Sequence, residues 1–149
     1  SKEAILRAIL AHGFGCLEHM TADVAAEYGP ARRKLEILLD RTIDLYDRNV
    51  EFAVILGGLM GEGGQALVRG LGIDMEQIRG RYHANLRSVF AEARSEGAIL
   101  TLADPDLLVV LYLAFFDGML IGYRNLWPTV PRDALRDAAL RLVGYRPSG

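Results

Sequence analysis

His12, Cys16 and His19 recur at i, i+4 and i+7 along the chain, a spacing that sets three soft ligands for Zn²⁺, Ni²⁺ or Cu on one helical face. Ile5, Ile9 and Met20 share that face, which makes it an inward stripe. Inward polar groups also serve as hydrogen-bonded core groups or as polar handles in a ligand cavity. No fourth ligand of matching geometry stands nearby in sequence, and only folding could bring His83 to the trio. Three readings stay open at this point: a metal site in a small helical sensor or enzyme, a cavity wall, and a plain core.

Other catalytic patterns are missing. The chain has no G-x-S-x-G elbow, no H-E-x-x-H pair and no G-x-x-x-x-G-K-[ST] loop. The glycines between positions 57 and 72 follow a helix rather than a strand and lead to no lysine. They read as a flexible connection. Only four serines occur, two of them near the ends at Ser1 and Ser148, so an acyl-transfer site has few parts to draw on. A non-enzymatic chain without a cofactor is the expectation.

Several stretches mix aromatic or apolar residues with isolated hydrogen-bonding groups. They are Cys16, His19 and Met20; Thr42 and Tyr46; Tyr82, Asn85, Leu86 and Val89; and Tyr112 and Phe116, with Leu56 and Met60 as apolar candidates for the same lining. Small-molecule sites have this make-up, mostly apolar with a few polar groups to orient the ligand. Ordinary cores holding satisfied tyrosines have it too, and composition does not separate the two.

The elements that must carry these residues follow from the rest of the sequence. In 149 residues, 51% are hydrophobic and 24% charged, with 17 basic against 19 acidic side chains. That suits one domain with a sizeable core and excludes a disordered segment. The near-neutral balance gives this segment no electrostatic reason to bind a phosphate backbone. A single cysteine forbids an internal disulfide and points to a reducing, cytoplasmic compartment. Lys2, Glu3, Arg7 and His12 interrupt any signal peptide. The most apolar run, residues 107–116, falls well short of the roughly 20 residues a membrane span needs.

Helical periodicity runs throughout, with no internal repeat and no clean strand alternation. Ser1 N-caps a helix over 2–27, weakened in its middle by Gly13 and Gly15 and stopped by Gly29 and Pro30. Further helices are expected over 31–48 and 50–60, the latter ending in Gly61, Gly63 and Gly64. Asp74 caps the next, with Gln77 at the capping-box position and Gly97 just past the end. Asp104 followed by Pro105 is the strongest helix start, and that helix should reach about residue 125 before Trp127 and Pro128 break it. Pro131 opens the last, to about 143. Six helices on short turns make an all-α antiparallel bundle.

The helix that starts at Pro105 is apolar nearly all round, so both of its sides should be covered. Leu111, Ala114, Phe115, Gly118 and Gly122 share one face with Leu107; Val109, Tyr112, Leu113, Phe116, Leu120 and Tyr123 share the other. Small residues on the first face let another backbone approach, and aromatics on the second suit the interior. The last helix carries a matching stripe of Leu135, Ala138, Ala139 and Leu142. Two such helices from each of two subunits would form a homodimer about a twofold axis.

The opening Ser1-Lys2-Glu3-Ala4-Ile5-Leu6-Arg7-Ala8-Ile9-Leu10 resembles the junction where the connecting helix begins in TetR-like bacterial transcription regulators. Val89-Phe90-Ala91-Glu92-Ala93-Arg94-Ser95-Glu96-Gly97-Ala98-Ile99, then Asp104-Pro105-Asp106 and Phe115-Phe116-Asp117-Gly118-Met119-Leu120, resemble that family's regulatory domain. The resemblance implies a connecting helix over 1–28 and an effector-binding and dimerisation domain over 29–149. It implies that the helix-turn-helix precedes Ser1, outside this sequence, and that DNA is contacted only through it. It also implies a largely apolar or aromatic effector, whose contact with Cys16, His19 and Met20 would bias the angle of the connecting helix.

Overall fold

A computed structural model describes residues 1–59 and 61–147; Met60, one of the expected cavity residues, lies outside them. Among the described residues the chain forms seven α-helices: α1 Lys2–Ala26, α2 Ala31–Arg48, α3 Val50–Gly58, α4 Glu62–Gly70, α5 Met75–Ser95, α6 Pro105–Gly122 and α7 Arg132–Leu142. A short 3₁₀ turn, Trp127–Thr129, joins the last two.

Local chemistry sets the starts. The Ser1 hydroxyl accepts from the Ala4 N–H at 3.2 Å, Asp74 from Gln77 at 3.0 Å, and Asp104 from Leu107 at 2.8 Å. Each satisfies a donor that the first helical turn leaves without a carbonyl partner. At the start of α2 the capping residue is Pro30, which has no side-chain oxygen. The carboxylate of Glu96, at the end of α5, accepts from the Ala31 N–H at 2.7 Å instead. One helix end thereby fixes the position of another, and the negative charge suits a helix N-terminus. Gly97 takes a φ of +75° just beyond α5, as its C′ position requires.

The glycine-rich stretch is not a flexible connection: residues 62–70 form α4. Val68 and, just after the helix, Leu71 are buried, and the Arg7 guanidinium donates to the Leu71 carbonyl at 2.6 Å. Those tertiary contacts outweigh the roughly 1 kcal/mol per residue by which glycine disfavours a helix. Two other helices are shorter than the sequence suggests, α3 ending at Gly58 and α6 at Gly122.

A single apolar core runs through the helices. Its centre holds Leu35, Leu38 and Leu39 of α2, Leu86 and Phe90 of α5, and Phe116 of α6, all with no more than a trace of exposure. Lys34 is buried within it and reaches the Glu92 carboxylate at 2.9 Å and the Ala25 carbonyl at 3.1 Å, which ties α2 to α5 and to the end of α1. Asn85 of α5 donates to the Thr21 hydroxyl of α1 at 3.1 Å. Arg132 and Arg136 of α7 pair with acidic side chains of α2, the shortest contact being Arg132 to Asp44 at 2.8 Å. No described helix is long and apolar enough to cross a membrane.

The two faces of α6 separate as the sequence suggests. Val109, Tyr112 and Phe116 are buried, while Leu107, Ala114, Gly118 and Gly122 are exposed and Leu111 and Phe115 half-buried. Tyr123 departs from the inner set by being 60% exposed, because α6 has ended before it. On α7 the expected subunit stripe splits: Leu135 and Ala139 are buried in the chain's own core, held against α2 by the arginine pairs, and only Ala138 and Leu142 face outward.

Candidate functional site

The inner side of α1 is the row Leu10, Gly13, Phe14, Leu17, Thr21 and Val24. It is turned away from the His12, Cys16 and His19 row, which corrects the inward reading of that trio. His12 is exposed, and His19, its side chain 83% exposed, faces Asp23 at 3.4 Å. Cys16 is half-buried with its sulfur 3.7 Å from His12 Nε2. Ile5, an argument for the inward face, is 61% exposed. Among the described residues no group of three or more His, Cys, Asp and Glu side chains is placed to hold a metal ion.

Phe14 and Leu17 form one wall of a cavity of about 320 Å³ between α1, α2, α3, α5 and α6. Tyr46 of α2 and Leu56 of α3 close a second side. Helix α5 adds Met75, Arg79, Tyr82 and His83 at one-turn spacings, and α6 adds Val110, Leu113, Ala114 and Asp117. Val110 and Ala114 are exposed, so the space opens beside the outward face of α6. A larger cleft of about 540 Å³ adjoins it, sharing Leu56, Met75 and Arg79. Its rim carries the exposed Gln65, Arg69, Asp74 and Glu76, which makes it the wetter, outer part. The inner volume lies within the ordinary range of small-molecule sites, about 300–1,000 Å³.

Aromatic contacts fix the walls. Phe14 stacks on Tyr82 at 6.3 Å and meets Phe52 edge-on at 5.2 Å. Tyr46 stacks on Phe116 at 6.1 Å, with Trp127 edge-on at 6.5 Å, and the Trp127 N–H is anchored on Asp47 at 2.7 Å.

The polar groups of the cavity are strongly influenced by burial. Burial raises the Asp117 carboxyl to about 6, against a smaller opposing pull from Arg79. It pushes the Tyr82 phenol up to about 12, again opposed by Arg79, and lifts Tyr46 further, with the Asp117 charge adding to the effect. Both tyrosines are therefore neutral hydroxyls. His83 is made less basic by burial first and by Arg79 second. Arg79 and Asp117 line the same space with opposite charges, yet among the described residues neither is within ion-pair distance of a partner. The cavity is thus an apolar box with a donor and an acceptor charge in its wall.

Of the residues expected to line a cavity, Tyr46, Leu56 and Tyr82 do. Thr42 and Tyr112 do not: their hydroxyls hydrogen-bond each other in the buried α2–α6 contact, so they are satisfied core groups. Asn85 is engaged by Thr21 and by the Glu18 carbonyl, and Leu86, Val89 and Phe116 are fully packed in the core. Cys16 and His19 stand outside the cavity wall, and Met20 packs against the core from α1.

The charged pair and the α1 wall escaped the sequence reading. Asp117 did leave a signal: it is the one charge in α6 after Asp106, set in an otherwise apolar helix. Arg79 left a weaker one, three residues before Tyr82 on a mixed stripe. Comparison with family models, with curated proteins and with solved structures finds no match for this chain. The likeness to TetR-like regulators therefore rests on the residue runs given above.

Proposed function

We propose that this chain is the effector-binding and dimerisation domain of a TetR-like transcription regulator. It binds a largely apolar or aromatic small molecule and relays occupancy through α1 to a helix-turn-helix preceding Ser1, without catalysing a reaction. In this reading the helices form an antiparallel bundle, the protein works in the cytoplasm, and DNA is touched only through that N-terminal domain. Two such units in a dimer would read half-sites about one helical turn apart.

The observation that carries the proposal is the share of α1 in the cavity wall: Phe14 and Leu17 lie on the helix that would have to move. A ligand that touches them more favourably in one tilt of α1 than in another shifts the balance between the two. One that touches both equally regulates nothing. The contact falls to Phe14 and Leu17 in place of Cys16, His19 and Met20, but the helix is the same.

The dimer belongs to the proposal as well. Gly118 and Gly122 sit on the outward face of α6 with nothing of their own chain above them. Leu111, Ala114 and Phe115 share that face, and Ala138 and Leu142 of α7 are exposed as well.

N-phenyl-1-naphthylamine, an uncharged fluorescent probe, tests the reading. Saturable binding that raises Tm and is abolished by Leu56→Trp, which fills the cavity, is expected. A bimane label on Cys16, the chain's one cysteine, should shift its emission as the probe saturates. Binding that Leu56→Trp leaves intact would overturn the site, and a silent label would overturn the relay.

A further inference from the structure

The charges in the cavity wall say more about the occupant than its size does. Resting on the proposal that this space is a binding site, we infer that its ligand is an apolar molecule whose head group presents a hydrogen-bond donor and an acceptor side by side, seated between Asp117 and Arg79; a primary carboxamide is the simplest such group. Asp117 reaches the space from α6 and Arg79 from α5. Among the described residues Asp117 has neither an ion-pair nor a hydrogen-bond partner, and Arg79 forms no ion pair within 4.0 Å.

Asp117, in a largely apolar wall, needs a partner because an unpaired charge away from water is costly, and Arg79, half-buried and hydrogen-bonded to the Tyr82 side chain, keeps further guanidinium N–H groups for a ligand. A simple ammonium head would satisfy Asp117 and then stand against Arg79. A simple carboxylate would satisfy Arg79 and stand against Asp117. A head group with an N–H beside a C=O answers both at once, with each hydrogen bond strengthened by the charge of its protein partner.

A third polar group agrees. Tyr46 is only 3% exposed, lines the cavity, and makes no hydrogen bond with any described residue. As a neutral phenol it can donate to the same carbonyl or accept from the same N–H. Phe14, Leu17 and Leu113 leave an apolar surface for the rest of the molecule. His83, made less basic by its surroundings, adds no third charge near neutrality.

Four ten-carbon probes separate the possibilities: decanamide, decylamine, decanoate and decanol, titrated calorimetrically at pH 7.5 against the wild-type chain, Asp117→Leu and Arg79→Met. Decanamide should bind the wild type about tenfold or more tighter than decanol, as two charge-assisted hydrogen bonds imply. Each substitution should remove most of that advantage. Decylamine should be weakened only by Asp117→Leu, and decanoate only by Arg79→Met. Superimposable far-UV circular dichroism spectra of the three proteins report that the variants keep the fold. If decanol and decanamide bind alike, or if decylamine or decanoate is the tightest, the inference is overturned while the binding site stands. If none of the four binds, the site itself falls.

Discussion

Gly13 of α1 lies against the ring of Phe52 in α3, so close that a Cβ on Gly13 would sit 2.1 Å from the ring. The sequence suggests only a helix weakened at two glycines, but the two differ. Nothing lies within 4 Å of a Cβ built on Gly15. Phe52 is 2% exposed, and the contact involves the root of its ring, so it has little room to retreat. Gly13→Ala should therefore destabilise by about 1–3 kcal/mol through overpacking. Gly15→Ala should stabilise by about 0.5–1 kcal/mol through helix propensity. Urea denaturation of the two variants checks both signs, and equal effects would mean that Phe52 does not seat on Gly13.

Lys34 is the most buried cation of the described residues, and its ammonium is shared between Glu92 and the Ala25 carbonyl. Glu92→Gln removes the charge that compensates it while keeping the shape. A loss of about 1–3 kcal/mol is expected, since the glutamate side is partly exposed and a fully buried pair would lose more. Asp137→Asn, which breaks the exposed contact to Arg141, should change stability by less than about 0.5 kcal/mol. Comparable losses in the two variants would show that Lys34 does not depend on Glu92.

Gly118 offers a probe of the proposed dimer. A side chain there meets nothing in its own chain, so Gly118→Leu should leave the fold intact and act only on a partner laid against α6. Sedimentation equilibrium should give a dimer for the wild type and a monomer for the variant. A dimer that survives Gly118→Leu must use another surface.

Features governed by near neighbours were legible in the sequence. Ser1, Asp74 and Asp104 cap helices because their oxygens need only an amide three residues on. The two sides of α6 were legible because one carries small residues and the other aromatics. The face of α1 was not: Ile5, Ile9 and Met20 offer one apolar row and Leu10, Phe14 and Leu17 another, and the choice falls to the packing of α5. Likewise a hydroxyl on Thr42 reads the same whether it meets a ligand or, as it does, the hydroxyl of Tyr112 in another helix. The opposed charges of Arg79 and Asp117 become a site only once α5 and α6 bring them to one space.

Asp117 also makes stability depend on pH in an unusual direction. Burial raises its carboxyl from the ordinary 3.8 to about 6, so between those values the folded chain holds a proton that the unfolded chain has released. The fold therefore loses stability as pH rises through that window, and the loss is complete above about pH 6. A rise of that size is worth about 3 kcal/mol, an upper bound for a group that keeps some contact with water. His83 works in the opposite sense, since a lowered affinity for its proton costs stability as pH falls below its ordinary 6.5. That lowering comes from burial and Arg79 rather than from Asp117, so it cancels when the wild type is compared with Asp117→Asn. The variant should be more stable than the wild type by about 1–3 kcal/mol at pH 7.5 relative to its standing at pH 4. Urea midpoints taken at half-unit steps across that range give the difference curve. A flat curve would mean that Asp117 titrates as it does in water and does not face the cavity.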